Sequence, residues 1–116
     1  MTSRGRGARI KGASFERSLA NLLSKETSYE FKSGLGKTRC GATERPDVYS
    51  EELPMLHIEA KRHKKVIIKR ALQQAIEDAR PGALPIAITK DDREDTLVTM
   101  RFDDWLPFLN AYLDTL

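Results

Sequence analysis

Two hydrophobic periods share this chain, and the points where one gives way to the other mark its elements. In "GASFERSLANLLSK", residues 12–25, Phe15, Leu19, Leu22 and Leu23 fall at i, i+4, i+7 and i+8. That spacing predicts one apolar stripe of a helix, with Ala13 or Ser14 near its start. "YEFKS", 29–33, sets Tyr29 and Phe31 against Glu30 and Lys32, the alternation of a strand. "GLGKTRCGATER" then reads as a long polar loop, a length that in a small domain suits a functional or mobile segment. "DVYS" and "MLHIEAK" are two further strand patterns, and "EELP" between them is a turn in which Pro54 presets the backbone. Together they predict a hairpin.

"VIIKRALQQAIEDAR", 66–80, opens on an apolar trio and then spaces Leu72, Ala75, Ile76 and Ala79 at helical intervals until Pro81-Gly82 stops it. "LPIAIT" and "TLVTMRF" are strand patterns divided by the charged turn "KDDRED". In the closing "DDWLPFLNAYLDTL", Trp105, Leu109 and Leu113 repeat every four residues. Helix, strands, helix, strands, helix predicts an α/β fold of mixed α+β character, a central mixed sheet flanked by helices.

Composition narrows the class. At 116 residues, 40% hydrophobic and 32% charged, the chain fits one compact domain. No apolar run approaches the roughly 20 residues that span a bilayer, so no membrane partner is expected. The single Cys40 allows no internal disulfide and no paired-cysteine metal site, which suits an intracellular, cytoplasmic or DNA-associated setting. "MTSRGRGARIKG" lacks the apolar segment of a secretory signal. Residues 1–11 read instead as a flexible basic N-terminal arm ahead of a domain at 12–116.

The net charge of +3 is mild, but its distribution is not. Arg4, Arg6, Arg9 and Lys11 form one run without an acid; Lys61, Arg62, Lys64, Lys65, Lys69 and Arg70 form another. Two such clusters in a small chain point to phosphate contacts, hence to nucleic acid.

The chemistry centres on "RPDVYSEELPMLHIEAKRHKK". Strand alternation sends Leu56, Ile58 and Ala60 to one face and His57, Glu59 and Lys61 to the other. Glu59 and Lys61 therefore stand about 6 to 7 Å apart on one face. Antiparallel pairing of the hairpin can bring Asp47 alongside Glu59. Two adjoining carboxylates repel unless a cation separates them. An all-oxygen site suits Mg²⁺, with Mn²⁺ as a substitute, and such an ion polarises a phosphate and activates water. Lys61 would steady the charge that develops on phosphorus. Glu30-Phe31-Lys32 has the same acid-x-Lys spacing but no Pro-Asp upstream and no basic run after it. The plainer reading of Glu59 and Lys61 is a solvated strand face with cross-strand charge pairs.

"PDVYSEELPMLHIEAK" resembles the core of the PD-(D/E)XK nuclease superfamily, whose fold is restriction-endonuclease-like. "KGASFERSLANLL" is similar to the first helix of archaeal-type Holliday junction resolvases, and "ALQQAIEDARPGALPIAIT" to the helix and strand after their core. The similarity runs from about Lys11 to Trp105. It implies an Mg²⁺-dependent endonuclease that resolves four-way or other branched DNA as a homodimer. It implies Asp47, Glu59 and the Ala60 carbonyl as metal ligands, Lys61 as the catalytic lysine, and Glu16 and Gln74 as further site residues. A nicking or restriction-type nuclease on the same core is the alternative within that chemistry; a non-catalytic nucleic-acid-binding module is the alternative outside it. No organic cofactor is implied.

The DNA-binding candidates are Arg4, Arg6, Arg9, Lys11, Lys37, Arg39, Arg62, Lys64 and Lys65. Ser33, Thr43 and Arg45 are further loop positions among which the pattern makes no choice. His57 shares the Glu59 face but reads as a hydrogen-bonded surface residue, and His63 as a phosphate neighbour within the basic run. Trp105, Phe108 and Tyr112 read as core or interface packing rather than a base-stacking platform, and the last helix is a candidate dimer interface.

Overall fold

The computed structural model describes residues 3–34 and 46–116, with side chains from Lys11 onward. The first stripe becomes α1, Ser3–Glu26, which buries Phe15, Leu19 and Ala20. Its helical backbone starts well before Gly12 and includes residues 3–11, the stretch that the sequence marks as a basic arm. Gly5, Gly7 and Gly12 make that extension hard to read locally, since each weakens a helix by about 1 kcal/mol relative to Ala. One long-range tie helps: the Lys11 ammonium donates to Asp92 Oδ2 at 2.7 Å.

Five strands among the described residues form one sheet in the order β1-β2-β3-β4-β5. β1 is Lys32–Ser33, β2 is Val48–Tyr49 and β3 is Leu56–His63, paired antiparallel in turn. The strand expected at 29–33 shrinks to β1 because Ser24 Oγ on α1, not a neighbouring strand, accepts the Phe31 N–H at 2.7 Å. The predicted hairpin forms, with Val48 opposite Ile58.

α2, Ile68–Asp78, crosses from β3 to β4, Leu84–Asp91. It starts two residues late because the Val66 N–H is held by Asp91 Oδ1 at 2.6 Å, which fixes the approach to the helix. It ends before Gly82, whose φ of 85° turns the chain back toward the sheet. β4 lies parallel to β3 along eight positions, Leu56 beside Leu84 through His63 beside Asp91. β5, Thr96–Thr99, closes the other edge antiparallel to β4. It stops short of the predicted Phe102 because the Arg101 carbonyl already accepts the first amide bonds of α3, Phe102–Leu113.

The sheet is covered on both faces. Ile58, Ala60, Ile86 and Ile88 pack with Phe15, Leu19 and Ala20 of α1. On the reverse face Ala87 meets Ala71 of α2, with Val66 and Leu72 beside them. Small residues here let the helix lie close to the strands. α3 is different: it buries no residue, and Phe102, Trp105, Phe108 and Tyr112 are all exposed. Of the core or interface packing expected for Trp105, Phe108 and Tyr112, the core role is not filled among the described residues. Among the described residues no helix is long and apolar enough to cross a membrane.

Candidate active site

β3, which bears Glu59 and Lys61, is the central strand, held by β2 on one edge and by the full length of β4 on the other. Glu59 is neighbour to Ala87 and Lys61 to Thr89, so both acidic and basic side chains stand on the face that α2 covers. Glu59 is only 3% exposed, which rules out the solvated-face reading. Lys61 is half-buried further along the same face.

Asp47 joins Glu59 by a backbone device. β2 is two residues long, and beyond it the Ala60 N–H has no strand carbonyl to meet. The Asp47 carboxylate fills that place, Oδ2 accepting from Ala60 N at 2.9 Å, while Asp47 N donates to the Ile58 carbonyl at 3.0 Å. A strand residue turns its N–H and C=O toward the same neighbour, so the Ala60 carbonyl opens on the Asp47 side as well. Asp47 is 9% exposed.

Burial raises the Glu59 carboxyl above its ordinary value of 4.5, a hydrogen bond from His57 opposes that rise, and the adjacent negative charge of Asp47 adds to it. Two buried carboxylates in contact repel each other unless a cation or a proton intervenes. The donors are all oxygen: Asp47, Glu59 and the Ala60 carbonyl. Among the described residues no three His, Cys, Asp or Glu side chains cluster as a ligand set. Oxygen donors are the type a hard ion such as Mg²⁺ takes, through one or two carboxylates with several waters retained.

His57 is 3% exposed, not at the surface as expected, and its Nε2 lies 3.0 Å from Glu59 Oε1. Gly34 is a second feature the sequence did not flag. Its N–H donates to the Asp47 carbonyl at 2.5 Å, and a Cβ at this position would stand 2.6 Å from the Pro46 carbonyl oxygen. Only glycine lets β1 approach the Pro-Asp backbone so closely.

The remaining candidates divide. Glu16 is half-buried, and its i+3 and i+4 neighbours Leu19 and Ala20 are core residues, so it lies within the sheet-facing stripe of α1. Gln74 is exposed on α2, one residue before buried Ala75. Lys64 and Lys65 are exposed directly after β3, and Lys69 and Arg70 extend that surface onto α2. Lys11 and Arg62 have an internal partner: Asp92 takes the Lys11 hydrogen bond and stands 3.5 Å from Arg62 Nε, a charge contact. The Lys11 bond holds the Asp92 carboxyl below its usual range. Lys37, Arg39, Thr43, Arg45 and Cys40 lie outside the described residues, as do the side chains of Arg4, Arg6 and Arg9.

The order Asp, then Glu-x-Lys on the next strand, with both acids buried together, is the PD-(D/E)XK arrangement. A family model described as "Phage putative PDDEXK endonuclease" matches residues 7–113, nearly the whole chain. The chain belongs to that family. The match places the chain in the PD-(D/E)XK nuclease superfamily, and its mixed sheet and flanking helices agree with a restriction-endonuclease-like core. The match does not extend to archaeal-type Holliday junction resolvases. Comparison with curated proteins and with solved structures gives no match.

Proposed function

We propose that this member of the PDDEXK family is a metal-dependent DNA endonuclease that hydrolyses phosphodiesters at Asp47, Glu59 and Lys61, with branched DNA, four-way junctions in particular, as its substrate. The buried Asp47–Glu59 pair is the observation that carries the chemistry. A pure binding module has no use for it, because buried carboxylates repel a phosphate.

Asp47, Glu59 and the Ala60 carbonyl would hold Mg²⁺ or Mn²⁺. When bound, such an ion neutralises phosphate charge and lowers the pKa of its water. Lys61, on the same face as Glu59, supplies a fixed positive charge for the phosphate as negative charge builds on it. Glu16 and Gln74 enter as further site residues from the resemblance alone, since α1 packs on the Ile58–Ala60 face opposite Glu59 and Gln74 is exposed on α2. Lys64, Lys65, Lys69 and Arg70, at the end of β3 and the start of α2, grip flanking phosphates. Arg4, Arg6 and Arg9 add charge along α1, and Lys37 and Arg39 from the segment before Asp47.

A homodimer suits a branched substrate, since two symmetric incisions need two sites. Support for it comes from α3, whose aromatic residues are exposed among the described residues.

The test sets wild type beside Asp47→Asn, with Mg²⁺, on a labelled four-way junction and on its arms as linear duplexes. Paired nicks in the junction alone, absent in the variant, are expected. Equal cutting of linear DNA would replace junction selectivity by a nicking or restriction-type activity. Binding with no cutting under either metal would overturn the enzyme.

A further inference from the structure

We infer that His57 is a positioning residue that sets the orientation of the Glu59 carboxylate for cation binding. The inference rests on the reading of Glu59 as a metal ligand. The last torsion of a glutamate is soft and roughly two-fold, so packing alone leaves its carboxylate plane poorly defined. A ligand must present a chosen lone pair, and outer groups that fix a ligand in this way commonly control affinity.

His57 has the required properties. It sits two residues before Glu59 on the same face of β3, and its Nε2 is 3.0 Å from Oε1. A carboxylate that ligates a cation is ionised and only accepts, so in that state the His57 tautomer that bonds it carries the hydrogen on Nε2 and donates. The imidazole is itself immobile: it is 3% exposed, its strand neighbour on β4 is Pro85, and Pro85 is fully buried and rigid. Oε1 is thus held from the His57 side, while Asp47 lies against the same carboxylate. A surface histidine could not define that plane; a buried one on the central strand does.

The experiment measures Mn²⁺ binding by calorimetry, and folding by circular dichroism, for wild type, His57→Leu and His57→Gln. His57→Leu removes the donor at similar volume, and an affinity loss of about tenfold or more is expected. His57→Gln keeps an N–H donor and should recover most of that loss. In a Glu59→Gln background, His57→Leu should change residual Mn²⁺ binding by less than about twofold, because the group it orients is gone. Should His57→Leu fail to fold, His57→Asn takes its place: polar but too short, it should bind like the leucine variant was expected to. Wild-type affinity in the leucine or asparagine variant, or equal loss in the glutamine one, would overturn the inference while leaving Glu59 a ligand. Mn²⁺ binding that ignores Glu59→Gln and Asp47→Asn would overturn the metal reading itself, and the inference with it.

Discussion

Asp47 Oδ2 accepts the Ala60 amide hydrogen at 2.9 Å, so a single carboxylate completes the β2–β3 ladder and supplies the first acid of the site. Its two duties can be separated by substitution. Asp47→Asn keeps an acceptor for Ala60 but removes the charge beside Glu59. Cleavage should vanish while thermal melting in chelator shows a more stable protein. Asp47→Ala should lose both, with the orphaned Ala60 N–H costing about 1–3 kcal/mol.

The raised Glu59 carboxyl gives a pH dependence of defined sign. Between its ordinary value of 4.5 and its higher native value, the folded state holds a proton that the unfolded state has released. Its contribution to stability is complete below that window and is lost as pH rises through it. The stability of Glu59→Gln relative to metal-free wild type should therefore grow as pH is raised from about 4.5. Denaturant melts at a series of pH values measure this, and a flat difference would contradict it. Saturating Mg²⁺ should reverse the trend for wild type.

Gly34→Ala places a Cβ 2.6 Å from the Pro46 carbonyl oxygen, and backbone on both sides leaves nothing flexible to yield. A destabilisation of about 1–3 kcal/mol is expected, as for overpacking elsewhere. Because the atom displaced adjoins Asp47, cleavage per folded molecule should fall too. Activity normalised to folded fraction distinguishes this from simple unfolding.

Sedimentation of Trp105→Glu and Tyr112→Glu addresses α3. Neither residue is buried in one chain, so monomer stability should change by no more than about 0.5 kcal/mol. Self-association should weaken in both. A dimer that survives both changes would place the interface elsewhere.

Lys64→Ala and Lys65→Ala test the basic surface. DNA affinity should fall steeply with salt, and each substitution should reduce the slope of log K against log salt by about 1. Lys11→Ala and Arg62→Ala should do less, because Asp92 already offsets their charge.

Much of this was legible in the chain. The hairpin, the strand with Glu59 and Lys61 on one face, the crossover helix and the mixed sheet all follow from local periods of two and 3.6. Glu59's burial was not, because period two says which residues share a face and not which face a helix will cover. His57 was misjudged for the same reason: it pairs with Pro85 on the face that α2 covers, and both come later in the chain. The role of Gly34 depends on Pro46, across a segment whose pattern carries no register. α1 outran its stripe because three glycines mask a helix whose Lys11 is tied to Asp92, far away in sequence.

The brevity of β2 has an evolutionary corollary. Where a catalytic acid is only catalytic, a lineage that abandons the reaction can replace it with almost anything. Here the acid also closes a sheet, so the substitutions open to an inactive descendant are few. Asparagine at position 47, one base change from aspartate, silences the chemistry and spares the ladder. Catalytically dead copies of this fold should therefore be betrayed by a Pro-Asn where this chain has Pro46-Asp47, with the rest of the hairpin undisturbed.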